Sequence, residues 1–222
     1  MSIQSPDARY GRVIVLGTLM AVVMLGCVSS GKFKDLEAER DAVVAERDAL
    51  AVDNEIVSSE LESALAENEE MKETYGGLVR ELQTEVEAGQ ITVQKIVDGI
   101  RLGVSEELLF SSGGTTLDAK GTALIARVAE QIGLDDSMVF VEGHTDNVQV
   151  GRSLKARYPT NWELAGARAA MVTRVLSENG VEPERLRAVS RGPFAPVAPN
   201  DSAANRAKNR RTEIILRAVP SS

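Results

Sequence analysis

Residues 138–146 read Met-Val-Phe-Val-Glu-Gly-His-Thr-Asp, an apolar run that ends in Gly143 and continues into polar side chains. A short run rich in valine and phenylalanine, closed by glycine, is typical of a buried strand. Polar residues just past the end of a central strand stand where open α/β sheets commonly carry their binding sites. We therefore expect a buried strand over Met138–Glu142, with Asp146 at a candidate site.

A helix is predicted downstream of this strand. Thr160-Asn161-Trp162-Glu163 has the spacing of a capping box and comes directly after Pro159. Asn179-Gly180 ends the apolar periodicity and is a natural C-terminal cap. The helix should therefore begin near Thr160 and end near Asn179.

Arg168 occupies an unusual position on that helix. On a helical projection it lies in the middle of the apolar stripe, among Leu164, Val172 and Val175. A buried guanidinium without a partner costs several kcal/mol, so it must meet a carboxylate, reach a rim or await an anionic ligand. Its planar fork suits a carboxylate in two-point contact. Asp146 is the best internal candidate, and a purely structural Arg168–Asp146 ion pair is the alternative to a binding site.

The rest of the C-terminal half alternates between strands and helices. Two helices that cross between strands imply a small α+β sandwich with the helices packed on one sheet face. Two long connections, Asn147–Thr160 and Gly192–Ala207, are functional or disordered in most compact domains. The further predicted elements are extended segments at Ile96–Val104, Glu107–Phe110, Leu186–Ser190 and Thr212–Val219 and a helix at Leu117–Ile132.

An acidic segment without proline precedes this domain. Residues 31–90 carry six Lys and Arg against seventeen Asp and Glu, whereas residues 91–222 carry seventeen against fifteen. This asymmetry indicates a helical spacer over residues 33–90 and a separate domain over residues 91–222. Gly76-Gly77 is expected to interrupt the helix near its end.

A heptad pattern predicts the form of the spacer. Its a positions are half polar, and its d positions are apolar: Leu36, Val43, Leu50, Val57, Ala64, Met71 and Leu78. Polar a positions lower stability but specify register, so a parallel coiled-coil dimer or trimer is plausible. The alternative is a lone solvated helix or a partly disordered spacer.

The first residues are typical of an export signal. Arg9 and Arg12 precede Val13–Leu25, an uncharged run of thirteen residues followed by Gly26 and the only cysteine, Cys27. Such a run is too short for a hydrocarbon core of about 30 Å.

The position of the cysteine resembles the lipobox of bacterial lipoproteins. The resemblance implies a signal peptide over residues 1–26, an acylated, palmitate-bearing Cys27 and a short linker over residues 27–32. Val28 follows the cysteine where an Asp favours retention in the inner membrane. The resemblance therefore predicts a lipid anchor on the periplasmic face of the cell outer membrane.

Composition argues against several classes of function. One Cys excludes an internal disulfide, and one His without a second Cys predicts no metal site; no cofactor is expected either. The C-terminal half is nearly neutral and therefore lacks the excess of basic residues that is typical of nucleic-acid-binding domains. A cleavage reaction would need a metal cluster, a Cys/His pair or an acid–base carboxylate pair. Cys27 and His144 lie in regions that are not expected to meet, and metal ligands are lacking, so an enzyme is not expected.

Several motifs recur in a fixed order in the C-terminal half: Gly143-His144-Thr145-Asp146, Asn161-Trp162-Glu163-Leu164, Arg168-Ala169 and Asn209-Arg210-Arg211. Weaker landmarks are Leu109–Gly113, Leu117, Gly192, Pro196 and Asn200. Together they resemble the OmpA/Pal/MotB peptidoglycan-binding family over about residues 96–218. The resemblance implies a βαβαββ sandwich with its helices on one mixed sheet, and peptidoglycan as the partner.

The resemblance also implies a ligand and a site. Family members bind the free amino-acid end of meso-diaminopimelate in the stem peptide of peptidoglycan. By motif position, Asp146 would take the ammonium group and Arg168 the carboxylate, while Thr145 and Asn161 would add neutral hydrogen bonds. Arg210 would contact the ligand or serve only as a charge at a strand edge.

The predicted function is non-covalent tethering of a lipid-anchored envelope protein to the cell wall. One alternative is a flagellar stator-like wall anchor, although Val13–Leu25 has no acidic residue to carry a proton. Another is an envelope scaffold whose coiled coil binds a second protein. The roles of two further residues are not decided by the sequence. His144 is expected to be a packed loop residue rather than a ligand contact. Trp162 is either an anchor for the core or a loop, or a platform for a sugar.

Overall fold

The computed structural model describes the backbone of residues 8–111, 114–133 and 136–218, and side chains from residue 30 onward. The predicted signal peptide and acylated Cys27 lie outside the residues whose side chains are described. The chain divides into two units, Met1–Leu61 and Glu62–Ser222. None of the helices in the described part carries an apolar stretch long enough to cross a bilayer.

The first unit is helical. Helix α1 spans Ala8–Glu81, so the predicted long helix is confirmed. The predicted interruption at Gly76-Gly77 is wrong, because α1 continues through both glycines. Packing of the next turns, at Leu78 and Leu82, outweighs the low helix propensity of glycine.

The second unit contains a five-stranded sheet in the order β1-β2-β5-β3-β4. β3 and β4 are parallel, and the other neighbours are antiparallel. The strands are β1 Ile91–Ile96, β2 Gly99–Ser105, β3 Met138–His144, β4 Leu186–Gly192 and β5 Arg211–Arg217.

Two longer helices pack on one face of this sheet, and shorter helices lie in the connections. In chain order after α1 they are α2 Gln83–Glu87, α3 Glu106–Leu109, α4 Ala119–Ile132, α5 Arg152–Lys155, α6 Asn161–Glu178 and α7 Ala203–Asn209, with a 3-10 turn at Pro183–Arg185. From β2 onward the order is βαβαββ, so the predicted α+β sandwich is confirmed, with β1 added at one edge.

One apolar core joins both long helices to alternate residues of the sheet. Val139 and Val141 of β3 belong to it, together with Val128 of α4 and Val172 of α6. Leu78 of α1 is also fully buried in this core. The folded unit therefore includes the last turns of the predicted spacer.

Two local predictions in the domain were wrong. Ile96–Val104 is not one strand: β1 and β2 form a hairpin that turns at Val97-Asp98. Glu107–Phe110 is not extended, because Glu106–Leu109 forms the helical turn α3. This turn matters for the site, since it directs Glu106 into the protein.

Candidate functional site

The start of α6 is set by the capping box predicted from the sequence. The backbone N–H of Thr160 donates to Glu163 Oε2 at 2.8 Å, and the Thr160 hydroxyl accepts from the backbone N–H of Trp162 at 3.2 Å. These bonds satisfy donors at the helix start that would otherwise lack partners. They place Asn161 in the first turn and Arg168 two turns later.

Gly143 allows the end of β3 to approach α6 closely. A Cβ atom at this position would lie 2.1 Å from the carbonyl oxygen of Ala165. Only glycine therefore fits, and the two residues that follow β3, Thr145 and Asp146, are held beside α6.

Asn161 fixes the loop that carries Asp146. Its side-chain amide donates to the carbonyl oxygens of Asp146 at 3.3 Å and Val148 at 2.9 Å. The Asp146 carboxylate accepts from the backbone N–H of Val148 at 2.9 Å through Oδ1. Asp146 is thus oriented by two independent contacts and is only 8% exposed.

Arg168 is buried in the apolar stripe, as predicted, but its carboxylate partner is Glu106. Nη1 and Nη2 donate to Glu106 Oε2 and Oε1 at 2.7 and 2.6 Å, and Nε donates to the carbonyl oxygen of Gly114 at 3.0 Å. The predicted Arg168–Asp146 ion pair is therefore wrong as a direct contact. Glu106 occupies the two-point position because α3 brings it against the middle of α6.

Arg210 is the partner of Asp146. Its Nη1 donates to Asp146 Oδ2 at 3.0 Å, and its Nη2 lies 3.3 Å from Glu107 at the rim. Its Nε lies 3.8 Å from Glu106 Oε2, which links the two ion pairs into one network. Arg210 is thus part of the cluster and lies immediately before β5.

Two carboxylates and two guanidinium groups alternate in this network. Burial raises the pKa of Glu106, although Arg168 and Arg210 oppose that shift. Burial likewise lowers the pKa of Arg168 against the pull of Glu106. For Arg210 desolvation is outweighed by Asp146 and Glu106, and its pKa is raised. The four side chains carry no net charge when all are ionised, so a zwitterion can enter without leaving unbalanced charge.

An open cavity of about 340 Å³ lies against this network. All five residues predicted for the site line it: Thr145, Asp146, Asn161, Arg168 and Arg210. Thr145 Oγ1 is buried without a hydrogen-bond partner within the described part of the chain. A buried hydroxyl without a partner is unfavourable, so a hydrogen bond from this hydroxyl to a polar group of a ligand would be stabilising.

The long connection after β3 forms one wall of the cavity. The cavity is lined there by Val148, Gln149, Val150, Gly151, Ser153 and Leu154. Val150 and Tyr158 pack with Leu164 of α6 in a small apolar cluster of their own. The hydroxyls of Tyr158 and Thr115 are 2.9 Å apart, which ties this wall to the loop before α4.

Glu106 was not found from the sequence. The requirement that Arg168 meet a carboxylate was correct, but the predicted extended conformation gave no reason to direct Glu106 inward. The usable signal is its place shortly before Leu109-Phe110, at the end of a strand whose alternate residues are apolar.

A second group of buried titratable residues lies on the opposite face of the sheet. Candidate ligand atoms of Glu142, His144 and Glu213 lie within 4.8 Å of one another. Arg191 holds Glu142 at 2.8 and 2.7 Å, and Arg211 holds Glu213 at 2.7 Å. A cation would have to displace both arginines, so we assign no metal to this group.

Comparisons with known proteins agree with this architecture. The OmpA family model matches residues 109–210. Motility protein B of Helicobacter pylori strain J99 is 33% identical over 183 residues, which are 81% of this chain and 66% of that protein. The chain thus spans slightly less than two thirds of that relative.

Solved structures show the same relationship. The cell wall anchor of the T6SS from Pseudomonas aeruginosa is 33% identical, with a TM-score of 0.59 over 64% of this chain and 97% of that one. A MotB-like protein from Desulfovibrio vulgaris is 31% identical, with a TM-score of 0.60 over 67% of this chain and 91% of that one. The sheet order, the helices on one face and the matched residues lead to one conclusion. Residues 109–210 form a domain of the OmpA family.

Proposed function

We propose that this chain binds peptidoglycan non-covalently and attaches an envelope protein to the cell wall. The observation that carries the proposal is the neutral network of Glu106, Asp146, Arg168 and Arg210 beside an open cavity. Support also comes from the similarity to motility protein B and to a T6SS cell wall anchor. The role is binding rather than catalysis.

The proposed ligand group is the free amino-acid end of meso-diaminopimelate. Its ammonium meets Asp146 and its carboxylate meets Arg168, with hydrogen bonds from Thr145 and Asn161 and a further contact from Arg210. Glu106 keeps the Arg168 guanidinium in a fixed orientation, which reduces the cost of ordering it when the ligand binds. Both ionic contacts are charge-assisted hydrogen bonds.

Exchange of the wall chemistry tests this proposal. The full-length protein is sedimented with sacculi whose stem peptides carry meso-diaminopimelate, and with sacculi that carry lysine in its place. Lysine keeps the side-chain ammonium but lacks the second carboxylate, so Arg168 loses its ligand group. Binding should fall by about 30-fold or more on the lysine-type sacculi. Equal binding to both would refute recognition of the zwitterion.

The membrane attachment we propose is acylation of Cys27, with the protein at the periplasmic face of the outer membrane. The support is the short apolar run that ends in Gly26-Cys27. Two or more acyl chains hold a protein stably, since each buried CH₂ contributes about 0.8 kcal/mol. Cys27→Ser should release the protein from membranes and abolish incorporation of labelled palmitate. If the Cys27→Ser variant stays in membranes and neither the variant nor the wild type incorporates labelled palmitate, the proposed lipid anchor at Cys27 is contradicted.

The spacer is proposed to associate with a second or third copy of itself. Its apolar heptad side chains are more than half exposed in a single chain: Phe33, Leu36, Leu50, Val57 and Leu61. Burial of such a seam is the driving force of coiled coils. Leu50→Glu, at a d position, should yield monomers by light scattering, whereas Val52→Glu on the outer face should not. Identical masses for both variants and the wild type would argue for a lone helix.

A second candidate function is a stator-like wall anchor. It is favoured by the 33% identity to motility protein B. Deletion of the gene separates the two candidates, because a stator component is needed for swimming and a general tether is not. Loss of motility with normal envelope integrity would favour the stator, and the reverse would favour the tether.

A further inference from the structure

Two exposed aromatic rings stack beside the cavity. The centroids of Trp162 and Phe194 are 5.2 Å apart, with 27° between the ring planes. Trp162 is 48% exposed and Phe194 is 70% exposed, so neither belongs to the apolar core. Large apolar rings held in solvent without a core to join are characteristic of binding surfaces.

Hydrogen bonds fix the backbone of Trp162. Its carbonyl oxygen accepts from the Ser190 hydroxyl at 2.8 Å, and its backbone N–H donates to the Thr160 hydroxyl at 3.2 Å. A Cβ atom at Gly192, where φ is +53°, would lie only 3.3 Å from the indole ring. The absence of a side chain at Gly192 therefore allows the indole to lie against the backbone there. Phe194 stacks on the indole and keeps most of its own surface open.

These rings line a second cavity of about 290 Å³, which shares part of its lining with the first one. Gln149, Val150 and Asn161 line both cavities. Lys155 and Gln149 contribute polar side chains to the lining of this second cavity, and Pro159 and Pro193 add apolar surface. The second cavity thus combines an aromatic surface with hydrogen-bonding side chains.

We infer that this aromatic platform binds an N-acetylated aminosugar of the glycan strand, next to the peptide held at Asp146 and Arg168. A pyranose presents an apolar face of C–H groups, which packs on an aromatic ring, and equatorial polar groups, which reach Gln149 and Lys155. This inference rests on the proposed function, because the second cavity shares lining residues with the cavity proposed to hold the stem peptide, and the stem peptide is attached to a sugar. A stem peptide carries its sugar a few residues from the diaminopimelate, and three extended residues span about 10 Å. One ligand can therefore occupy both cavities.

Tryptophan fluorescence tests the platform directly, since Trp162 is the only tryptophan in the chain. The full-length protein is titrated separately with a stem peptide that lacks sugar, with the N-acetylglucosamine–N-acetylmuramic acid disaccharide that lacks peptide, and with the joined disaccharide-peptide. The disaccharide should change Trp162 emission, and the joined ligand should bind about 2- to 10-fold more tightly than the peptide. Phe194→Ala should remove both effects and leave peptide affinity unchanged.

Val197→Ala is the matched control, because Val197 is an exposed apolar residue of the same loop outside the cavity. The inference is overturned if the peptide and the joined ligand bind equally well to the wild type. It is also overturned if the Trp162 emission changes with the protein concentration and not with the concentration of the disaccharide. In that case a second copy of the chain would occupy the aromatic platform. Failure of the peptide to bind, with the disaccharide response retained, would refute diaminopimelate recognition and leave the platform standing.

Discussion

At the level of single residues, the buried Arg168–Glu106 pair is expected to matter as much for stability as for binding. Glu106→Gln leaves the guanidinium with a neutral partner in a site where Arg168 is only 4% exposed. Removal of one member of a buried ion pair costs about 3–5 kcal/mol, whereas replacement of both by apolar residues is often neutral.

Urea denaturation of Glu106→Gln, Arg168→Met and the double variant Glu106→Leu/Arg168→Met checks this prediction. The double variant should be more stable than either single variant. If the single variants have the same free energy of unfolding as the wild type, the ion pair contributes little to stability.

His144 is expected to make stability depend on pH. Desolvation, with Arg211 second, lowers its pKa from the ordinary value of 6.5 to about 4. Between these pH values the unfolded chain binds a proton that the folded chain does not, so the free energy of unfolding falls as the pH is lowered. Above pH 6.5 the residue is neutral in both states and contributes no slope. The loss at pH 4 is about 3 kcal/mol.

Comparison of the wild type with His144→Gln by urea denaturation at pH 7 and pH 4.5 isolates this contribution. The wild type should lose more stability than the variant between the two values. Parallel losses would assign the pH dependence to other groups, such as Glu142.

At the level of elements, the sequence predicted those structures whose signal is local. The capping box at Thr160 and the apolar run at Met138 define α6 and β3 because their patterns are complete within a few residues. The hairpin turn at Val97-Asp98 was missed because both flanking segments are apolar enough to read as one strand. The helical turn at Glu106 was missed because a turn of four residues has no periodicity.

The candidate site divides in the same way. Asp146 and Arg168 could be predicted because each interrupts an apolar pattern. Asp146 is a polar residue directly after a buried strand, and Arg168 is a cation within the apolar stripe of a helix. Their partners could not, since the pairing of Arg168 with Glu106 and of Asp146 with Arg210 joins residues 62 and 64 positions apart. Such pairings depend on the tertiary arrangement that brings Glu106 of α3 to α6 and Arg210, just before β5, to the residues that follow β3.

The end of α1 should be part of the folding unit rather than a detachable spacer. Leu78→Ala or Leu82→Ala removes a fully buried side chain and should cost about 2–5 kcal/mol. The control is Val52→Ala, at an exposed position of α1. A fragment that begins at residue 91 should be destabilised for the same reason. Thermal denaturation measures these differences, and equal melting temperatures for Leu82→Ala and Val52→Ala would contradict the placement.

At the level of the whole molecule, a helical segment with an exposed apolar seam precedes the domain that contains the proposed peptide-binding cavity. This division corresponds to the charge asymmetry of the sequence, since the acidic residues are concentrated in the helix. The proposed lipid anchor, spacer and wall-binding domain each rest on separate residues, so each can be disabled alone. Cys27→Ser should leave sacculus binding intact, and Asp146→Ala should leave membrane attachment intact.

The most direct test is co-sedimentation of the full-length protein with purified meso-diaminopimelate sacculi, comparing the wild type with Asp146→Ala. Glu107→Gln serves as the control, because Glu107 contacts Arg210 from an exposed rim position. Binding by Asp146→Ala should fall about 30-fold or more, while Glu107→Gln should bind as the wild type does. A folded Asp146→Ala protein that sediments with sacculi as well as the wild type would contradict the account.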